Sequence, residues 1–185
     1  MTITDIACRQ AHRSDADHIA LAHRDSIRAI GPTYYSPTVV DDWEEGLSGE
    51  VYLKAMESGE VFFIATGKVH GEALVLGFAS DYRIQGSKHG TSVYMRGVAA
   101  RRGIGSALFR LAEAHAVATG AACIEVEASL AGVEFYKANG FVETGRGETR
   151  LMSGRPIACA FMRKDLGVTT QSTGARPERQ AGPES

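Results

Sequence analysis

The sequence predicts a mixed α/β fold, with a central, mostly antiparallel sheet of about six to seven strands flanked by helices. Three observations carry that expectation. Short apolar runs with strand character are interspersed with stretches whose apolar residues recur at helical spacing. Three strand-like segments follow one another through residues 61–98, which suits an antiparallel meander. A strand then enters a helix through a glycine-containing turn, and a strand, short helix and strand come next.

Taken in order, residues 3–9 read as a strand. Ser14 is expected to open a helix, with Asp17 three residues on as its capping-box partner. Ile19, His23, Ile27 and Ile30 form its apolar stripe, and Gly31-Pro32 stops it. Pro37 suits the first turn of a second helix carrying Val39, Val40, Trp43 and Leu47. A third helical piece covers 51–56. Strands are expected at 61–66, 73–80 and 92–98, with a loop at 85–90. A helix bearing Ile104, Leu108, Leu111 and Ala112 follows, and Gly120 ends it. The remainder reads as a strand at 123–128, a helix at 132–137, and strands at 141–144 and 156–162. Residues 1–166 are expected to form one domain. The segment 167–185, rich in Thr, Gly, Pro, Gln and Ser, reads as a disordered tail.

Composition narrows the function. The chain is 44% hydrophobic and 23% charged, and its 185 residues can enclose a core. Twenty Lys+Arg against 22 Asp+Glu give a net charge of −2, which argues against nucleic acid as partner. It leaves room for a small anion held by a local basic cluster. No apolar run approaches the roughly 20 residues of a membrane helix. The first residues lack the pattern of a signal peptide. Cys8, Cys123 and Cys159 are odd in number and far apart, so a reducing cytoplasm is expected. No CxxC or HxxxH spacing occurs, and no metal site is expected.

The most informative stretch runs from Val93 to Leu108. Here a strand leads through Arg101, Arg102, Gly103, Ile104 and Gly105 into a helix. The first N–H groups of a helix lack internal partners and carry partial positive charge. Glycines let an anion approach the backbone, and two arginines add full charge. The turn is therefore a candidate phosphate or pyrophosphate site. It is not a P-loop, because no lysine follows Gly105, and Leu108 breaks the dinucleotide pattern. Cys123, at a strand start, reads as a buried thiol rather than a nucleophile.

Further on, Phe135-Tyr136-Lys137-Ala138-Asn139-Gly140-Phe141 follows a strand. Together the two segments resemble the GNAT superfamily of acyl-CoA-dependent N-acyltransferases, which share an R/Q-x-x-G-x-G/A loop and a later F-Y-x-x-x-G-F. The likeness spans roughly residues 3–166. Ala100 stands where the loop motif has Arg or Gln, Gly97 where a Pro is common, and Ala131 where an Asn is frequent.

The resemblance implies a partly splayed sheet, acetyl-CoA as donor and an amine as acceptor, without a metal. A homodimer is a further expectation from it. Backbone groups of Met95, Arg96, Gly97 and Val98 would meet the pantetheine amides. Arg101, Arg102, Gly103, Ile104, Gly105 and Ser106 would hold the diphosphate. Tyr136 is the candidate acid for the departing thiolate, because phenol and thiol affinities for a proton are close. Glu127 is the candidate base, since Glu125 and Glu127 share one face of their strand and Glu127 lies nearer its C-terminal end. His23, Asp81 and His89 are lesser candidates. Ser26, Tyr34, Tyr35 and Trp43 are candidates to line the acceptor site. The expected reaction is direct acetyl transfer to a primary amine of a small molecule. The alternatives are a protein or peptide N-acetyltransferase and a non-catalytic acyl-CoA sensor.

Overall fold

A computed structural model of the chain describes residues 2–167. The order is β1 (Ile3–Gln10), α1 (Ala16–Ile30), α2 (Pro37–Glu44), α3 (Gly49–Glu57), β2 (Val61–Val69), β3 (Glu72–Gln85), β4 (Lys88–Gly90) and β5 (Val93–Met95). Then come α4 (Ile104–Ala118), β6 (Cys123–Ser129), α5 (Val133–Ala138), β7 (Val142–Arg150) and β8 (Pro156–Asp165). The strands form one eight-stranded sheet in the order β1-β2-β3-β4-β6-β8-β7, with β5 also on β3. All pairings are antiparallel except β4 with β6.

The extra strand lies in the segment expected to be a loop. Lys88–Gly90 pairs with the end of β3 on one side and with β6 on the other. Gly90 has no Cβ because the Tyr82 ring lies over it, within 2.5 Å of where that atom would stand. The start of α1 also differs from expectation. Asp15, not Ser14, organises the turn: its carboxylate accepts the His12 N–H at 2.7 Å and a bidentate pair from Arg9. A 3-10 turn over Arg13–Asp15 therefore precedes the helix. The expected tail lies outside the described residues except for Gly167. No helix among the described residues is long and apolar enough to cross a membrane.

Helices cover the sheet on two faces. On one, Ile19 and Ala22 of α1 and Tyr52 of α3 pack on Phe62, Ile64 and Phe78. On the other, Leu108 and Ala112 of α4 pack on Phe63, Ala65 and Leu76, while Phe109 and Tyr136 pack with Ile124, Ala128 and Met162. Each large apolar side chain so buried contributes about 1.5–3 kcal/mol, which offsets the ordering entropy of the elements carrying it.

A polar cluster sits under α4. The buried Asp81 carboxylate bonds His89 Nδ1 and His115 Nδ1, each at 2.7 Å, and so ties β3 to β4 and α4. Asp81→Ala strands the Nδ1 of fully buried His89, and a buried polar atom left unpaired costs about 1–3 kcal/mol. Urea unfolding is expected to record at least that loss. Lys54→Ala, which breaks an exposed pair with Glu50, is expected to change stability by under about 0.5 kcal/mol.

Candidate active site

The site arises where the parallel pair opens. β4 and β6 are in register from Lys88↔Cys123 to Gly90↔Glu125, and the ladder stops there. At Thr91 and Ser92 the strand breaks, and β5 continues on β3 alone. The break is satisfied by one residue of β3. Thr91 donates its hydroxyl to the Ser80 carbonyl at 2.6 Å, and the Ser92 N–H donates to Ser80 Oγ at 3.2 Å.

Beyond the break, half of β5's backbone has no strand partner. The Ser92 carbonyl and Arg96 N–H bond to β3, so Phe78↔Tyr94 is the hydrogen-bonded pair between them. Val93 and Met95 therefore direct their N–H and C=O groups away from β3, into the fork with β6. The Val93 N–H meets the phenol of Tyr136, on α5. Burial pushes that phenol well above its ordinary value, against the opposing effect of the Val93 contact. Tyr136 is thus a neutral hydroxyl held at the fork.

The strand then enters the basic turn. Gly97 approaches α1 so closely that a Cβ would stand 2.7 Å from that of Ala29. Asp25 of α1 accepts the Gly97 N–H at 2.9 Å and faces Arg96 Nη1 at 3.2 Å, while Arg96 Nε bonds the Val75 carbonyl. Arg96 and Gly97 are thus engaged in fixing the turn, and Val98 gives its carbonyl to Arg102. Of the expected pantetheine contacts, Met95 is the one whose backbone is turned to the fork.

Arg101 has φ +58° and Gly103 φ +78°, so the backbone coils tightly before α4. The first helical bond closes from Ala107 N–H to the Gly103 carbonyl. The preceding N–H groups, from Gly103 to Ser106, have no carbonyl one turn back to meet. The two glycines act differently. Space is open above Gly103, whereas Gly105 is buried and a Cβ there would stand 3.3 Å from both Met95 and Phe135. The missing side chain of Gly105 is therefore a packing requirement, while its N–H remains among the first of the helix. Ser106 Oγ accepts from Asn139 Nδ2, tying α4 to α5.

Two cavities meet at Ser92. The smaller, about 260 Å³, lies among α1, α2, α3, the sheet and the β7–β8 tip. The larger, about 780 Å³, lies over β3, β4, β6 and β8. Trp43 lines the smaller one. The other expected acceptor residues stand elsewhere: Ser26 is buried and Tyr34 exposed. Tyr35 uses its hydroxyl as a clamp, donating to the Ala158 carbonyl at 2.8 Å and accepting the Leu130 N–H at 2.7 Å. Glu127 borders the larger cavity and accepts the Thr149 hydroxyl. Glu125 beside it is paired with Lys88 and Arg163.

Sequence reasoning missed Glu60. It lines the smaller cavity, where burial and the charge of Asp81 raise its carboxyl's proton affinity against a hydrogen bond with Ser80. It precedes β2 without any local motif, so only tertiary packing reveals it. His23 was expected as a stripe residue, and it is buried there. Burial lowers its imidazole to about 3.

A profile of the acetyltransferase (GNAT) domain matches residues 33–158. The chain belongs to the GNAT acetyltransferase family. This GNAT chain is also similar to solved structures. One is a GCN5-related N-acetyltransferase from Rhodopseudomonas palustris, at 26% identity and TM-score 0.72, covering 90% of this chain and 99% of that one. Another is the PaiA N-acetyltransferase of Thermoplasma acidophilum in complex with coenzyme A, at 20% identity and TM-score 0.68, over 88% and 100% of the two chains. A third is a phosphinothricin acetyltransferase from Sinorhizobium meliloti in complex with acetyl-CoA, at 23% identity and TM-score 0.66, over 99% and 97%. No curated protein matches the sequence.

The buried imidazole makes a pH prediction with a definite sign. The folded state binds its proton only near 3, whereas the unfolded chain binds it near 6.5. Stability from neutral His23 is therefore fully present above about 6.5 and lost as pH falls toward 3. Urea midpoints measured across that range are expected to fall more steeply for the parent than for His23→Leu.

Proposed function

We propose that residues 1–166 form one N-acetyltransferase domain that moves an acetyl group from acetyl-CoA to a primary amine of a small molecule. One observation carries this reading: the fork between β5 and β6 holds the free Met95 N–H and the Tyr136 hydroxyl, and it leads to a basic turn at the start of α4. The coenzyme A and acetyl-CoA complexes among similar structures support the choice of donor. The small volume of the cavity beside Ser92 favours a small acceptor over a polypeptide.

In this reading Arg101, Arg102 and the N–H groups from Gly103 to Ser106 hold the diphosphate. The pantetheine lies along Met95 as an added strand would. A neutral amine attacks the thioester carbonyl carbon, and the carbonyl opens to an oxyanion facing the Met95 N–H. Collapse breaks the carbon–sulfur bond, and the thiolate takes the Tyr136 proton. The amine's proton leaves to a carboxylate at the cavity edge. Glu60 borders the amine's cavity, whereas Glu127 is bonded to Thr149 on the neighbouring one.

Acetyl-CoA at about 100 times its dissociation constant is expected to add roughly 2.7 kcal/mol to stability, seen as a thermal shift absent with ATP or NAD. No shift would sink the transferase reading. Tyr136→Phe is expected to lower kcat by about 100-fold or more while leaving that shift intact. A rate within a small factor of the parent would assign Tyr136 to packing alone.

A further inference from the structure

The smaller cavity carries information about which amine it takes. Five of its side chains are aromatic: Trp43, Tyr52, Phe62, Phe78 and Tyr94. They meet one another mostly edge to face, Tyr52 with Phe62 at 5.7 Å and with Phe78 at 5.8 Å between centroids. Trp43 meets Tyr94 in the same way, at 6.4 Å between centroids.

Two polar groups interrupt this apolar wall. His23 lines the cavity, stacked on Tyr94 at 3.6 Å between centroids. Its Nδ1 lies 2.6 Å from the Tyr52 hydroxyl. Burial keeps that phenol protonated and the imidazole neutral. The other ring nitrogen, Nε2, is buried and has no hydrogen-bond partner among the described residues. A buried ring nitrogen left in this way keeps its hydrogen-bonding capacity for a ligand group that can donate or accept, such as a hydroxyl. The second group is the partly buried Glu60, whose carboxyl lines the same cavity as Ser92.

Charge at the mouth narrows the choice. Arg150 lines the cavity from the end of β7, with Leu151 and Met152 at the tip. A second ammonium on the ligand would meet that guanidinium, and among the described residues lining the cavity Glu60 is the one carboxylate. A polyamine is therefore disfavoured, and a monoamine with an apolar body is favoured.

We propose that the acceptor is a small aromatic monoamine: its ring fills the aromatic wall, its ammonium meets Glu60, and a hydroxyl on its body bonds His23 Nε2. This rests on the transferase reading above, and the test separates the two. Trp43 is the chain's single tryptophan, so its emission reads occupancy of the cavity without donor or turnover. The full chain is titrated with tyramine, 2-phenylethylamine and spermidine, first by emission and then by thiol release with acetyl-CoA.

Tyramine is expected to change the emission saturably. Its kcat/KM is expected to exceed that of spermidine and of 2-phenylethylamine by about tenfold or more. In His23→Leu the preference for tyramine over 2-phenylethylamine is expected to vanish, while the preference of both over spermidine stays. Unchanged emission with both aromatic amines, or spermidine used as well as tyramine, overturns the proposal. A His23→Leu variant that keeps the tyramine preference overturns the role of Nε2. Met152→Arg changes an exposed residue and tests the cavity even if His23→Leu fails to fold. It is expected to raise the KM for tyramine at least tenfold with the acetyl-CoA thermal shift unchanged, and an unchanged KM counts against the cavity. An emission change with tyramine but no thermal shift with acetyl-CoA upholds the cavity and removes the transferase reading.

Discussion

Everything at this site depends on the three hydrogen bonds that Ser80 makes across the strand break. A strand inside a sheet cannot leave its neighbour unless the polar groups at the point of departure find other partners. Here the Ser80 carbonyl takes the Thr91 hydroxyl, its N–H reaches the Ser92 carbonyl, and its Oγ takes the Ser92 N–H. With the break satisfied, β5 can follow β3 while β6 turns away with β8. The result is a wedge-shaped opening in an otherwise continuous sheet, bordered on one side by backbone that a ligand can pair with.

The turn after β5 converts that opening into a place for a charged ligand. Asp25 is the organising group. Its carboxylate holds both the Gly97 N–H and the Arg96 guanidinium, so α1 fixes the direction in which the chain leaves the sheet. The absence of a side chain at Gly97 lets α1 come that close. The left-handed backbone at Arg101 and Gly103 then aims the start of α4 at the wedge. Backbone strain at a non-glycine residue is costly, about 1–2 kcal/mol. Such strain is commonly found where the backbone itself does the binding.

Much of this was legible in the sequence, and the illegible parts share a cause. The strand–glycine–helix turn and the Phe135-Tyr136 segment are local patterns, and local patterns survive without knowledge of the fold. Lys88–Gly90 looked like a loop because three residues give no periodicity; its strand character comes from its two neighbours. Gly105 matched the anion motif, yet its size is set by Met95 and Phe135, which arrive from elsewhere in the chain. Glu127 stood out by alternation along one strand. Glu60 had no such signal, since its environment is made by Ser80 and Asp81. Tyr35 was expected to line the acceptor site, but its hydroxyl is a structural clamp.

That clamp has a mechanical meaning. The inner sheet is continuous across the wedge through only three residue pairs of β4 and β6. Tyr35, between α1 and α2, reaches the β6–β8 side of the wedge, where its hydroxyl grips backbone at Leu130 and at Ala158 at once. One aromatic side chain from the first third of the molecule thus acts as a tie rod between the halves. A ligand that pries the wedge wider must load this rod. Compliance of the cleft is therefore set partly by a residue that lines neither cavity.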